Sequence, residues 1–278
     1  MPGSRRFAVA VIAVIGAVVL LVVLLTLDQE SPETATGEPV AQNQPGPVLL
    51  IPGYGGTSTE LAPLVDALRT AGRDAVVVSM PDGGVKDLRE QAATLGRAVD
   101  EQLSAGAPSV DVVGYSSGGV VSRIWADELG GAGVTRRVVT LGSPHHGTRA
   151  AGFAAALGPD VCPEACRQLV PDSELLSMLD ETPDGPVWTA VWTAQDRVVT
   201  PPESARLDGA VNVKVQDVCP DARIGHDELT SDALVVGLVL LALDVEPLDA
   251  APGVAKCASL RDSGASAGQS RPSRRASR

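Results

Sequence analysis

Val110-Asp111-Val112-Val113 runs without a spacer into Gly114-Tyr115-Ser116-Ser117-Gly118, and the chain that follows has helical spacing. A β-branched run ending on a glycine-flanked serine implies a strand that turns sharply into a helix. Such a turn puts the serine in a backbone conformation that non-glycine residues rarely hold, and it lifts the hydroxyl clear of the sheet. The glycines on either side let neighbouring elements come close. The pentapeptide alone occurs often by chance. Its weight comes from the order of elements around it.

Short apolar runs suited to buried strands stand at 48–51, 75–78, 110–113, 137–141, 187–192 and 211–215. Helical stretches alternate with them at 60–70, 85–103, from the serine turn to about 129, and as a closing helix over 229–243. Strands alternating with helices imply an α/β fold whose mostly parallel sheet is covered on both faces. A ligand site then lies at the carboxyl ends of the strands. The run at 235–243 is too short to span a bilayer and is expected to be a core helix.

The chain has 278 residues and a net charge of -12, enough for one catalytic domain and unsuited to nucleic acid, which needs a basic face. Residues 7–27 are uncharged and apolar, follow Arg5 and Arg6, and as a helix would extend roughly 31 Å. They are expected to form an uncleaved signal anchor with the remainder outside the cell membrane; processing near Ala35 would instead give a secreted form. Residues 28–46, rich in Pro and Glu, are expected to be a flexible linker, 47–245 the domain with a small cap at about 147–186, and 246–278 an extension ending in a basic tail, disordered over 261–278. Cys162, Cys166, Cys219 and Cys257 form an even set, which in an exported chain suggests two disulfides, Cys162 with Cys166 and Cys219 with Cys257. A metal site is the competing reading, but C-x-x-x-C has no histidines near it here.

A neutral serine hydroxyl needs a base within hydrogen-bond reach and a third group to orient that base. The histidines are His145, His146 and His226. His226, after the last strand and before the closing helix, fits the base, although a surface histidine capping a helix is the bland alternative. Asp196 follows the 187–192 strand directly and fits the acid; an Asx turn or a pair with Arg197 is its bland reading. Asp172, Asp184 and Asp217 are weaker, with Asp217 in reserve. Oxyanion donors are expected from the backbone of Ser117 and, in Pro52-Gly53-Tyr54-Gly55-Gly56, of Tyr54. That loop lacks the lysine and spacing of a phosphate-binding loop.

The ordered set Pro52-Gly53-Tyr54-Gly55-Gly56, Gly114-Tyr115-Ser116-Ser117-Gly118-Gly119, Leu141-Gly142-Ser143-Pro144-His145-His146-Gly147-Thr148, Asp196 and His226 resembles secreted bacterial lipases and esterases of the α/β-hydrolase superfamily. The resemblance covers about 47–245. It implies an α/β-hydrolase fold, an ester or lipid substrate, no cofactor and no metal, with Ser116, Asp196 and His226 as catalytic residues and Tyr54 and Ser117 as the oxyanion hole. Tyr115 would bind substrate, and His145 and His146 would be structural or would line the substrate pocket. Many relatives carry His-Gly where this chain has Pro52-Gly53, and a His where it has Tyr115. Aromatics make up 3% of the chain, which favours a short-lid esterase over an enzyme with a large apolar lid. Acyl transfer to another alcohol is the same chemistry with a different acceptor. A membrane-tethered binding protein that keeps the fold without activity is the alternative from another class, and it predicts at least one of the three side chains out of reach.

Overall fold

A computed structural model describes residues 40–269. The expected anchor, most of the expected linker and the end of the basic tail lie outside the described residues. Six strands, β1 (Val48–Ile51), β2 (Ala75–Val77), β3 (Val110–Tyr115), β4 (Thr135–Leu141), β5 (Val187–Trp192) and β6 (Val211–Lys214), form one sheet in the order β2-β1-β3-β4-β5-β6. Every pairing is parallel, with Leu49 opposite both Val76 and Val112. The strands read as continuous apolar runs because both faces are covered. Alternate side chains go to opposite sides: Val48 and Leu50 join one core cluster, Leu49 and Ile51 the other.

On the first face lie α1 (Ser58–Thr70), α8 (Ala233–Ala242) and α9 (Cys257–Gly268). On the second lie α2 (Leu88–Ser104) and α3 (Ser117–Glu128). Each fully buried Leu or Val in these clusters contributes roughly 1.5–3 kcal/mol. The segment expected as a cap holds three short helices, α4 (Arg149–Ala156), α5 (Glu164–Gln168) and α6 (Glu174–Met178), and a single turn, α7 (Val215–Val218), follows β6. Asp87 caps α2 by accepting from Arg89 N at 2.7 Å, and Gln168 of α5 donates to the other oxygen of that carboxylate at 2.7 Å. Among the described residues no helix is long and apolar enough to cross a membrane.

Both disulfides pair as expected, Cys162 with Cys166 and Cys219 with Cys257. Two expectations are corrected. Residues 261–268 are not disordered: they belong to α9, which buries Leu260, Gly264 and Ala267 against α8. Gly237 and Gly264 make this crossing, since a Cβ on either would collide with the backbone of the other helix, and Arg261 pairs with Asp221 at 3.1 Å. Small residues spaced for one helix face carry little hydropathy, so the pattern is faint in the sequence. Residues 40–46 are likewise no free linker. Gln42 and Gly46 accept from Arg136 and Arg73 through their carbonyls at 3.2 and 3.0 Å, and Ser109 Oγ donates to Gln44 O at 3.0 Å.

These anchors radiate from Asp111, a fully buried carboxylate near the start of β3. Arg136 donates to both its oxygens at 3.0 and 2.6 Å, and Arg73 adds a third contact at 2.5 Å. The same two guanidinium groups hold the end of α8 through Leu243 O at 2.6 and 2.9 Å. Removing one member of a buried ion pair strands the other charge in a low dielectric. Asp111→Ala is therefore expected to cost about 3–5 kcal/mol, read as a lower urea midpoint with an unchanged slope.

Candidate active site

The strand order reverses around β1 and β3, and the loops leaving these neighbouring strands meet at their carboxyl ends. Ser116 sits there, between β3 and α3, with φ 53° and ψ -126°. A non-glycine residue in this region costs on the order of 1–3 kcal/mol, so the surroundings must impose it. They do so through close contacts that admit no side chain. A Cβ on Gly114 would come 2.5 Å from Gly119 Cα, and one on Gly118 would strike the backbone of β1 at Ile51. Ser116 N donates to Leu141 O of β4 at 2.9 Å, which fixes the turn to the sheet.

The loop after β5 carries Asp196 and the loop before α8 carries His226. His226 Nε2 lies 3.0 Å from Ser116 Oγ and its Nδ1 lies 2.7 Å from Asp196 Oδ2. The second oxygen of Asp196 accepts from Val198 N and Val199 N, both at 2.8 Å. An ionised carboxylate accepts only, so Nδ1 carries the ring proton and Nε2 is left to accept from the serine hydroxyl. All three side chains are buried. A cavity of about 690 Å³ reaches the Asp196–His226 pair from solvent.

Gly142, at the end of β4, makes the meeting sterically feasible. Its φ is +55°, and a Cβ there would lie 3.2 Å from His226 Nδ1, 3.3 Å from Asp196 Oδ2 and 2.5 Å from Leu229 Cδ1. Gly142 belongs to the segment Leu141–Thr148, yet nothing in the sequence said that Asp196 and His226 pack on it. The reserve acid Asp217 is exposed and pairs with Lys214 at 2.7 Å.

The structure places the other expected residues as follows. Tyr54 is at the exposed tip of turn 53–56, which Gly56 N closes onto Gly53 O at 3.0 Å. Ser117 opens α3, its hydroxyl buried with no partner among the described residues. Tyr115 is buried rather than open to a ligand: its ring centroid lies 5.2 Å from that of His226 and its hydroxyl is 3.4 Å from His226 O. Burial pushes the Tyr115 phenol above its usual range, and the nearby carboxylates of Asp227, Glu60 and Asp196 push the same way.

His145 is fully buried, and so has no surface to line a pocket, with Nε2 3.1 Å from Thr140 Oγ1 and its carbonyl accepting from Arg123 at 3.1 Å. Only His146 of the pair is exposed, and it contacts Glu181 at 2.9 Å. Arg123, buried on α3, escaped the sequence reading. It ties the second face to the segment before β5 by donating to Leu179 O at 2.8 Å and Asp180 O at 2.6 Å. A charged residue inside the run Val120-Val121-Ser122-Arg123-Ile124-Trp125 was the available signal.

No protein-family model matches the sequence, and no curated protein sequence matches it significantly. Solved structures do. The mature form of Bacillus licheniformis lipase BlEst2 aligns with a TM-score of 0.58 at 19% identity, over 75% of this chain and 94% of that one. Aspergillus fumigatus lipase B aligns at 0.59 and 19%, over 84% and 64%. The lin2722 gene product of Listeria innocua aligns at 0.54 and 15%, over 74% and 98%. This chain has the α/β-hydrolase fold. The hydrolase fold accounts for the all-parallel order and for the serine turn at the end of β3.

Burial holds the His145 imidazole well below its ordinary value of 6.5, and the charges of Arg123 and His146 act in the same direction. His145 thus stays neutral in the folded protein while the unfolded chain takes up a proton below about 6.5. Stability is then fully present above that value and falls as pH drops through it, by up to about 1.4 kcal/mol per pH unit for one proton. Urea titrations at neutral and mildly acid pH should show this slope, and His145→Gln should remove it.

Proposed function

We propose that this chain is a serine hydrolase that cleaves carboxylic esters. Ser116 attacks the ester carbonyl while His226 Nε2 takes its proton, and Asp196 holds the ring and stabilises the imidazolium. The backbone N–H groups of Ser117 and Tyr54 receive the oxygen that turns negative in the tetrahedral intermediate. Collapse expels the alcohol, which leaves with the proton from His226. Water then enters, gives its proton to the same nitrogen and cleaves the acyl–Ser116 ester.

The observation that carries this reading is the unbroken hydrogen-bond chain from Ser116 Oγ through both ring nitrogens of His226 to Asp196, on a serine held at positive φ. A binding protein would gain nothing from that strain. The lipases among the similar structures support acyl esters, lipid esters included, as the substrate class. Two disulfides favour work outside the cytoplasm, and residues 7–27 would tether the domain to the membrane.

A fluorophosphonate probe should label the wild-type protein and fail on Ser116→Ala, with hydrolysis of p-nitrophenyl esters lost in parallel. Label that survives Ser116→Ala would sink the assignment. Asp196→Asn can still accept from Val198 N and Val199 N, but its amide would donate to Nδ1 and force the ring proton onto Nε2. The expected result is a fall in kcat of about 10⁴-fold in a protein that still folds. A wild-type rate in this variant would move the acid elsewhere.

A further inference from the structure

Glu60 stands in the first turn of α1, an ordinary place for an acidic residue beside the positive end of a helix. Its side chain does not point along the solvent surface, however. Glu60 Oε1 accepts from Gly53 N at 3.2 Å, reaching back across the glycine-rich loop. The carboxylate lies in the space that a side chain at Gly56 would fill, since a Cβ built there would collide with Oε1. Turn 53–56 is therefore fastened twice: by its own Gly56 N–Gly53 O bond and by the carboxylate on Gly53 N.

Gly53 in turn backs onto the serine. A Cβ on Gly53 would stand 2.9 Å from Ser116 Cβ and 3.5 Å from Ser116 Oγ. The residue after it is Tyr54, whose amide is the proposed oxyanion donor. A donor that drifts by an ångström loses most of its value in the transition state while leaving ground-state binding nearly untouched. Burial pushes the Glu60 carboxyl above the usual carboxylate range; the Gly53 N–H and the His226 charge act against this, and Asp227 adds to it. A half-buried acid this close to the reacting groups, with a backbone N–H as its hydrogen-bond donor, has a cost that a surface position would avoid.

We infer that Glu60 is a positioning residue: by accepting from Gly53 N it holds turn 53–56 against Ser116 and so aims the Tyr54 amide at the developing oxyanion. This deepens the ester-hydrolase reading and rests on it. Glu60 touches neither substrate nor the reacting atoms, and what it provides is the acceptor oxygen. A glutamine keeps that oxygen; an alanine does not.

The test is the steady-state hydrolysis of p-nitrophenyl esters, normalised to active sites counted by fluorophosphonate titration, with urea midpoints measured alongside. Glu60→Ala should lower kcat about 10- to 100-fold with KM little changed, and Glu60→Gln should restore most of the rate. Gly56→Ala, which displaces the carboxylate while leaving Glu60 in the chain, should reproduce the Glu60→Ala defect. The double variant should be no slower than either single one, because both break the same contact. A wild-type kcat in Glu60→Ala, or a Gln variant as slow as the Ala variant, overturns the inference. If Ser116→Ala abolishes hydrolysis while Glu60→Ala does not impair it, only this inference goes. If the wild-type protein neither takes the label nor hydrolyses any ester, both readings go.

Discussion

The contact on which the architecture turns is backbone against backbone, where the start of α3 meets the end of β1. Gly118 brings its Cα against the Ile51 carbonyl, and Gly114 near the end of β3 packs against the neighbouring Gly119. Any side chain at either position would push α3 off the sheet. With α3 seated, the residue between strand and helix has no room to relax, and Ser116 is held in a conformation that would otherwise be sparsely populated. The loop after β1 then lies beside it through Gly53. The serine turn is thus set by packing of backbone against backbone.

A second constraint works at the far end of the same strand. Asp111 gathers Arg73 and Arg136, and through them the chain entering at Gln42 and the end of α8 at Leu243. β3 is thereby fixed at both ends by different physics: close glycine packing at its carboxyl end, and buried charge at its amino end. A sheet strand held this way gives the His226 and Asp196 loops a fixed reference, which the short hydrogen bonds between them require.

The meeting of Ser116, Asp196 and His226 was foreseeable because Ser116 and Asp196 closely follow strands and His226 lies between the last strand and the closing helix, and in a parallel sheet such loops converge on one edge. The six strands were legible for a related reason, since runs such as Val48-Leu49-Leu50-Ile51 have no alternative use. What escaped depends on shape rather than hydropathy. Leu260, Gly264 and Ala267 carry too little apolar surface to announce α9, and the crossing at Gly237 appears only once α8 is in place. The docking of residues 40–46 rests on carbonyl oxygens, which every residue has. His145 and His146 are neighbours in sequence with opposite fates, decided by Thr140 on one side and Glu181 on the other. Glu60 resembled any helix-start acid until the vacancy left by Gly56 gave its carboxylate somewhere to go.

The bond between Cys219 and Cys257 joins α9 to the stretch of chain that leads from β6 to His226. Oxidation therefore does more than secure a terminal helix. It shortens the free span on which the His226 imidazole is mounted. A molecule still in its thiol form would carry every reactive group, yet its last helix would be kept in place by small-residue packing and one exposed ion pair.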